Sequence, residues 1–181
     1  FILTDVTVNG KAIIDGGYSS FNTGSGSGDV LEVRNAAVVT VGDLANIKNV
    51  SSIEFTNDTA STQTSTLELN NDVVEALVNS SHIAAAGEEE TLEVTAIDNP
   101  SLPAALTQLT LDASQVTNAF LRLVVSGGGG ADSLVGGAGT DTADYVASQA
   151  AVVINLAAGT GTGGDAQGDV LLTIENVSGS A

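Results

Sequence analysis

Residues 126–145 read SGGGGADSLVGGAGTDTADY, with seven glycines and three aspartates in twenty positions. A flexible linker needs the glycines but not the aspartates, and an acidic surface needs the aspartates but not the glycines. Written in nines, the block becomes GGGGADSLV (127–135) and GGAGTDTAD (136–144). Both halves satisfy G-G-x-G-x-D-x-U-x, where U is apolar: Leu134 in the first and Ala143 in the second. Glycine allows the positive φ of a tight turn and lets backbone carbonyls approach a cation. Aspartate supplies the hard anionic oxygen that Ca²⁺ prefers. The last three residues of each nine read as a short strand with the U side chain pointing inward.

Short strands recur along the whole chain. VLEV (30–33), SIEF (52–55), TLEL (66–69), TLEV (91–94), QLTL (108–111) and FLRL (120–123) share an apolar-polar-apolar pattern, so each buries one face. Their spacing is irregular, which fits successive rungs of a β-solenoid with variable loops better than a strict short repeat. The opening TDVTVNGKAIIDGG reads as a hairpin about Asn9-Gly10, and GSGSGD (24–29) as a loop. Two stretches read as helical. NNDVVEALVNSSH (70–82) offers Asn71 or Asp72 as N-cap, and VGDLANIKNV (41–50) spaces Leu44 and Ile47 three apart. DASQVTN (112–118) reads as a loop, AVVINL (151–156) as a strand, AAGTGTGGDAQGD (157–169) as a second Gly/Asp loop, and VLLTIENV (170–177) as a final strand. The expected fold is all-β: a solenoid-like stack of strands over 1–125, followed by a short parallel β-roll over 126–181.

Composition narrows the partners. Of 181 residues, 22 are acidic and 4 basic, a formal net charge of −18. Such a chain repels phosphate backbones and anionic bilayers, so nucleic acid and direct membrane insertion are excluded as partners and cations are favoured. With no Cys there are neither disulfides nor thiolate metal sites. The core is aliphatic, with four Phe, two Tyr and no Trp. No apolar run is long enough to span a bilayer. The absence of Met, even at position 1, marks a processed product or a piece of a longer protein, with any export signal outside it.

The tandem nonapeptides resemble the RTX family, the calcium-binding repeats of secreted haemolysins, serralysin-type proteases, adhesins and S-layer proteins. DTADY (141–145), AVVINLAAGTGTGGDAQGDVL (151–171) and IENVSGSA (174–181) look like the segment that often follows such repeats, and LTLDASQVTNAFLRLVVSG (109–127) like the approach to them in the large adhesin and S-layer type. The resemblance implies Ca²⁺ as the cofactor and Gly128, Gly130, Asp132, Gly137, Gly139, Asp141 and Asp144 as its site. It also implies two nonapeptides per coil, with Ca²⁺ between turns one coil apart. A third and a fourth consecutive repeat are then needed to close such sites fully. Residues 145–153 supply none, and Asp165 and Asp169 stand in as the completing ligands.

Remaining features carry less. Glu32, Glu54, Glu68 and Glu93 occupy central polar slots of four strands, an outward column if the rungs stack in register and otherwise unrelated solvated positions. Glu88-Glu89-Glu90 reads as an exposed loop. His82 adjoins Ser80 and Ser81, but G-x-S-x-G and H-E-x-x-H are both absent, so no catalysis is expected. GTGTGG (159–164) matches G-x-G-x-x-G without the strand-loop-helix context that a dinucleotide needs. The sequons at Asn49, Asn57, Asn79 and Asn176 mean little in a bacterial setting. The expected function is that of an extracellular, calcium-ordered structural module of a bacterial surface protein (adhesin, S-layer or filament subunit), exported by type I secretion and associating with itself or with neighbouring domains. The alternative is the non-catalytic export and folding region of a secreted enzyme or toxin.

Overall fold

The computed structural model describes residues 2–4, 14–15, 29–34, 38–45, 47–48, 50–57, 60–78, 89–98, 101 and 106–179. The Asn9-Gly10 hairpin, the 24–28 loop, His82, Glu88 and the sequons at Asn49 and Asn79 lie outside them. In chain order the elements are β1 (Ile2–Thr4), β2 (Ile14–Asp15), β3 (Asp29–Arg34), β4 (Val38–Val39), α1 (Val41–Leu44), β5 (Ile47–Lys48), β6 (Val50–Thr56) and β7 (Gln63–Asn70). There follow α2 (Asn71–Leu77), β8 (Glu90–Ile97), β9 (Thr107–Gln115), β10 (Leu121–Ser126), β11 (Ser133–Val135), β12 (Thr142–Tyr145), β13 (Val153–Asn155), β14 (Thr160–Thr162), β15 (Val170–Leu172) and β16 (Asn176–Gly179). None of the described helices is long and apolar enough to cross a membrane.

Two seven-stranded sheets dominate, in the orders β1-β3-β6-β8-β10-β12-β16 and β13-β14-β15-β11-β9-β7-β4. From β6 to β12 successive strands alternate between the sheets, so each pairs in parallel with the strand two positions on. Both sheets continue across residue 125: β10 pairs with β8 on one side and β12 on the other.

The pattern of burial explains the pairing. Parallel sheets in α/β proteins are covered on both faces and read as continuous apolar runs. Here exposure alternates residue by residue, as in β9 (Leu109, Leu111 and Ala113 buried) and β10 (Leu121, Leu123 and Val125 buried). Each sheet therefore has one dry face, and the two dry faces meet in one aliphatic cluster. Register stacks like on like. Val39, Leu67, Leu111, Leu134 and Leu171 form one inward ladder. Leu31, Ile53, Val94, Val125 and Ala143 form the other. The U residues of the two nonapeptides, Leu134 and Ala143, are thus rungs of ladders that begin far upstream. Burying a Leu or Val side chain contributes about 1.5–3 kcal/mol, so these ladders are a large share of what holds the sheets together.

Several local expectations are corrected. The helix at 70–82 is capped by Asn70, whose Oδ1 accepts from Val73 N at 2.9 Å. Asn71 instead fastens the 116–118 segment, accepting from Thr117 N (2.8 Å) and Asn118 N (3.1 Å). The 41–50 stretch is helical only over Val41–Leu44, held by a Thr40–Asp43 capping box, and Ile47 belongs to β5. Residues 112–115 continue β9 rather than forming a loop. VLLTIENV is two strands, β15 and β16, in different sheets; the chain turns between them at Thr173 (φ 49°). The parallel order also breaks at β13–β14–β15, which pair antiparallel. No continuous glutamate column forms. Glu32 lies beside Glu54, but Glu54 lies beside Thr95, Glu93 beside Ser52, and Glu68 in the other sheet beside Asp112.

Candidate metal centre

The two nonapeptides send their aspartates to opposite corners of the stack. Nine residues carry the chain from one sheet to the other, so Asp132 stands immediately before β11 and Asp141 immediately before β12. Three of the four candidate glycines have positive φ: Gly128 (80°), Gly137 (90°) and Gly139 (127°). Gly130 packs against the Thr107 carbonyl, where a Cβ would stand only 2.5 Å away.

At each corner a carboxylate reaches the backbone of the neighbouring strand in its own sheet. Asp132 Oδ1 accepts from Leu109 N (2.8 Å), and Asp169 Oδ1 in turn accepts from Asp132 N (2.9 Å). At the other corner Asp141 Oδ1 accepts from Leu123 N (2.7 Å), and Glu175 Oε2 accepts from Asp141 N (2.9 Å). The Asp132 and Asp141 N–H groups precede β11 and β12, whereas Leu109 and Leu123 are already paired with β7 and β8 and lie one residue before the pairing with β11 and β12 starts. The acidic side chains satisfy donors that would otherwise be buried alone.

One oxygen of each aspartate remains. Asp132 and Asp141 are 2% and 0% exposed, and Oδ2 of each is buried with no hydrogen-bond partner. The corners differ in charge. Asp132 shares its corner with Asp169, Asp98 and Asp165, and burial, with the repulsion of these three, pushes its carboxyl up to about 8. Asp141 has Glu175 against it but Arg122 in its favour, and burial lifts it to about 7. The Arg122 Nη1 also pairs with Glu89 Oε2 at 3.3 Å.

Asp98, just after β8, accepts from Thr107 N (2.6 Å) and from Gly129 N (2.7 Å), tying the first nonapeptide turn to the end of β8 and the start of β9. Asp165 lies in a single 3₁₀ turn (Gly164–Ala166) that Ser148 Oγ anchors by accepting from Asp165 N at 3.0 Å. Asp169 is 2% exposed; its Oδ2 accepts the Tyr145 hydroxyl at 2.6 Å, and burial raises its carboxyl. The fold therefore gathers Asp132, Asp165 and Asp169 at one corner and sends Asp141 to the other. Asp144, on β12, joins neither: its Oδ1 accepts from Val146 N at 3.1 Å. Sequence reasoning missed Asp98, Glu175 and Tyr145. Glu175 was findable, since it follows Asp141 by 34 residues much as Asp169 follows Asp132 by 37.

Among the described residues, no group of three or more His, Cys, Asp or Glu side chains is arranged to hold a metal by itself. An ion at either corner therefore needs backbone carbonyls or water as well. The donors on hand are all hard oxygens, and the unpartnered Oδ2 atoms are free to ligate, so the Asp132 corner suits a hard cation in donor type and charge. No family model, curated protein or solved structure matches this chain.

Proposed function

We propose that this chain is a calcium-stabilised structural module of an extracellular bacterial surface protein, a β-solenoid-like stack continuing into a short RTX-type roll. The observation that carries the reading is Asp132: a buried carboxylate with one oxygen spent on backbone and the other unpartnered, ringed by three more acids. An isolated ionised carboxylate in such a place is strongly disfavoured, and a bound cation removes the penalty. Ca²⁺ is the cation because it takes six to eight oxygen ligands in flexible geometry and accepts carbonyls beside carboxylates. Asp132 would hold it through Oδ2, with glycine carbonyls of 127–130 and water completing the shell and Asp165 and Asp169 adding negative charge beside it. Bound there, the ion supplies charge compensation and ordering of the turn, not reaction chemistry. The chain has no role as an enzyme in this reading, which rests on the absence of a nucleophile or zinc-protease motif.

Self-association, or docking to neighbouring domains, belongs to the same reading. A chain of net charge −18 repels its own copies, and calcium or salt relieves that repulsion. Calorimetric titration with calcium tests the central claim. Binding at millimolar calcium or below, with a gain in β-sheet circular dichroism over the chelated protein, is expected. No heat and an unchanged spectrum would end it.

A further inference from the structure

We propose that Tyr145 is a positioning residue for the Asp132 corner, acting through Asp169 from the opposite sheet. The inference rests on the calcium reading above. Tyr145 ends β12, in the sheet of β10, whereas Asp169 precedes β15, in the sheet of β9. Period-two alternation puts Tyr145 on the same inward face as Ala143, and the ring is 3% exposed. A buried phenol needs an acceptor. It finds one across the core, donating to Asp169 Oδ2 at 2.6 Å.

That bond fixes which oxygen goes where. Asp169 Oδ2 is committed to the phenol, and Oδ1 accepts from Asp132 N. The backbone of Asp169 is clamped as well: its carbonyl accepts from Gly161 N (3.1 Å) and its N–H donates to Ala166 O (3.3 Å). Phenol, carboxylate and Asp132 amide thus form one chain of hydrogen bonds that sets the Asp132 backbone. Asp132 Oδ2 is the oxygen left over. Without the hydroxyl, Asp169 Oδ2 is buried without a partner, the carboxylate is free to rotate, and the Asp132 amide loses a fixed acceptor. Outer partners of this kind commonly set metal affinity by about 10- to 100-fold.

The chain has two tyrosines and no tryptophan, which makes the test direct. Calcium is titrated calorimetrically into the full chain and into Tyr145→Phe, with thermal melts of both in chelator, and terbium luminescence is read on tyrosine excitation. The expected result is a folded Tyr145→Phe whose calcium affinity falls about 10- to 100-fold. At saturating terbium, sensitised emission persists in Tyr18→Phe, where Tyr145 is the one tyrosine left. An unchanged calcium affinity in Tyr145→Phe overturns the assignment, as does terbium bound to the wild type without sensitised emission. Should Tyr145→Phe fail to fold, Tyr18→Phe leaves Tyr145 as the sole emitter. A calcium-dependent change in its fluorescence then supports the role, and a constant signal refutes it. A wild type that gives no calcium heat defeats the calcium reading itself and this inference with it, an outcome distinct from binding that ignores the hydroxyl.

Discussion

Replacing Asp132 by Asn changes one atom type at the most heavily constrained position in the corner, and its effect depends on whether calcium is present. In chelator at pH 7 the unfolded carboxyl is ionised, with an ordinary value of 3.8, whereas the folded one is pushed to about 8. Folding then requires uptake of a proton, at a cost of about 1.4 kcal/mol for each unit between 3.8 and 7, or about 4 kcal/mol. Asp132→Asn escapes that cost and keeps Oδ1 as acceptor for Leu109 N. Its Nδ2 stands where the unpartnered Oδ2 stood, a buried donor costing about 1–3 kcal/mol. The net expectation is stabilisation by about 1–3 kcal/mol, a rise of about 2–12 °C in melting temperature for a chain of this size. In calcium the order closes or inverts. Wild type gains about 2.7 kcal/mol at a hundredfold excess over Kd, and an amide nitrogen cannot replace the lost oxygen ligand. Differential scanning calorimetry of both proteins, in chelator and in calcium, reads all four values. A variant less stable than wild type in chelator at pH 7 would refute the electrostatic argument, and equal calcium-induced shifts in the two would remove Asp132 from the ligand set.

Three further outcomes are expected. In chelator, stability falls as pH rises from about 4 to about 8: Asp132 and Asp141 have folded values of about 8 and about 7 against 3.8 unfolded, so the folded state holds extra protons throughout that window. A melting temperature flat or rising from pH 5 to 8 without calcium contradicts this, and saturating calcium should weaken the dependence by competing with those protons. Gly137→Ala should cost more than about 2 kcal/mol in urea unfolding, because φ is 90° and the new Cβ would collide with the Ala113 carbonyl, while Gly42→Ala, whose Cβ on α1 would meet Thr40 Oγ1 at an ordinary 3.7 Å, should be neutral or mildly stabilising. Light scattering should show larger particles in calcium than in chelator; a strictly monomeric chain at high concentration in both removes self-association from the proposed function.

What was legible in the sequence was whatever period two could express. Leu67, Leu111 and Leu134 each sit in an apolar-polar-apolar or U slot, and each is buried on the dry face that the alternation requires. The partners of those strands were not legible. Nothing local says that Leu134 stacks between Leu111 and Leu171, because register across a variable loop depends on which strands pack best. The hairpin β13–β14 shows the limit. AVVINL reads as one more strand and AAGTGTGGDAQGD as a loop, yet Val153–Asn155 and Thr160–Thr162 are short strands joined by a tight turn, and such strands pair antiparallel with each other before they can continue a parallel ladder. The same holds for VLLTIENV, which reads as one strand because Leu171 and Ile174 are both apolar. Thr173, at positive φ, divides it between two sheets, and both residues remain buried.

The site divides along the same line. Gly128, Gly137 and Asp132 were readable because a turn of fixed length imposes its conformation and its anion locally. Asp98 and Tyr145 were not, since their partners lie 31 and 24 residues away and depend on which strands come together. Tyr145 was half-readable: two positions after Ala143, it had to point inward, and a buried phenol had to find an acceptor. What sequence could not supply was the identity of that acceptor. Asp169 meets it only because the 157–169 loop folds back through β14 and a 3₁₀ turn, delivering a carboxylate beneath Asp132 just before β15 rejoins the stack. That placement lets one carboxylate serve both sheets: Asp169 Oδ1 accepts the Asp132 N–H beside β11, and its Oδ2 accepts the hydroxyl of Tyr145 on β12.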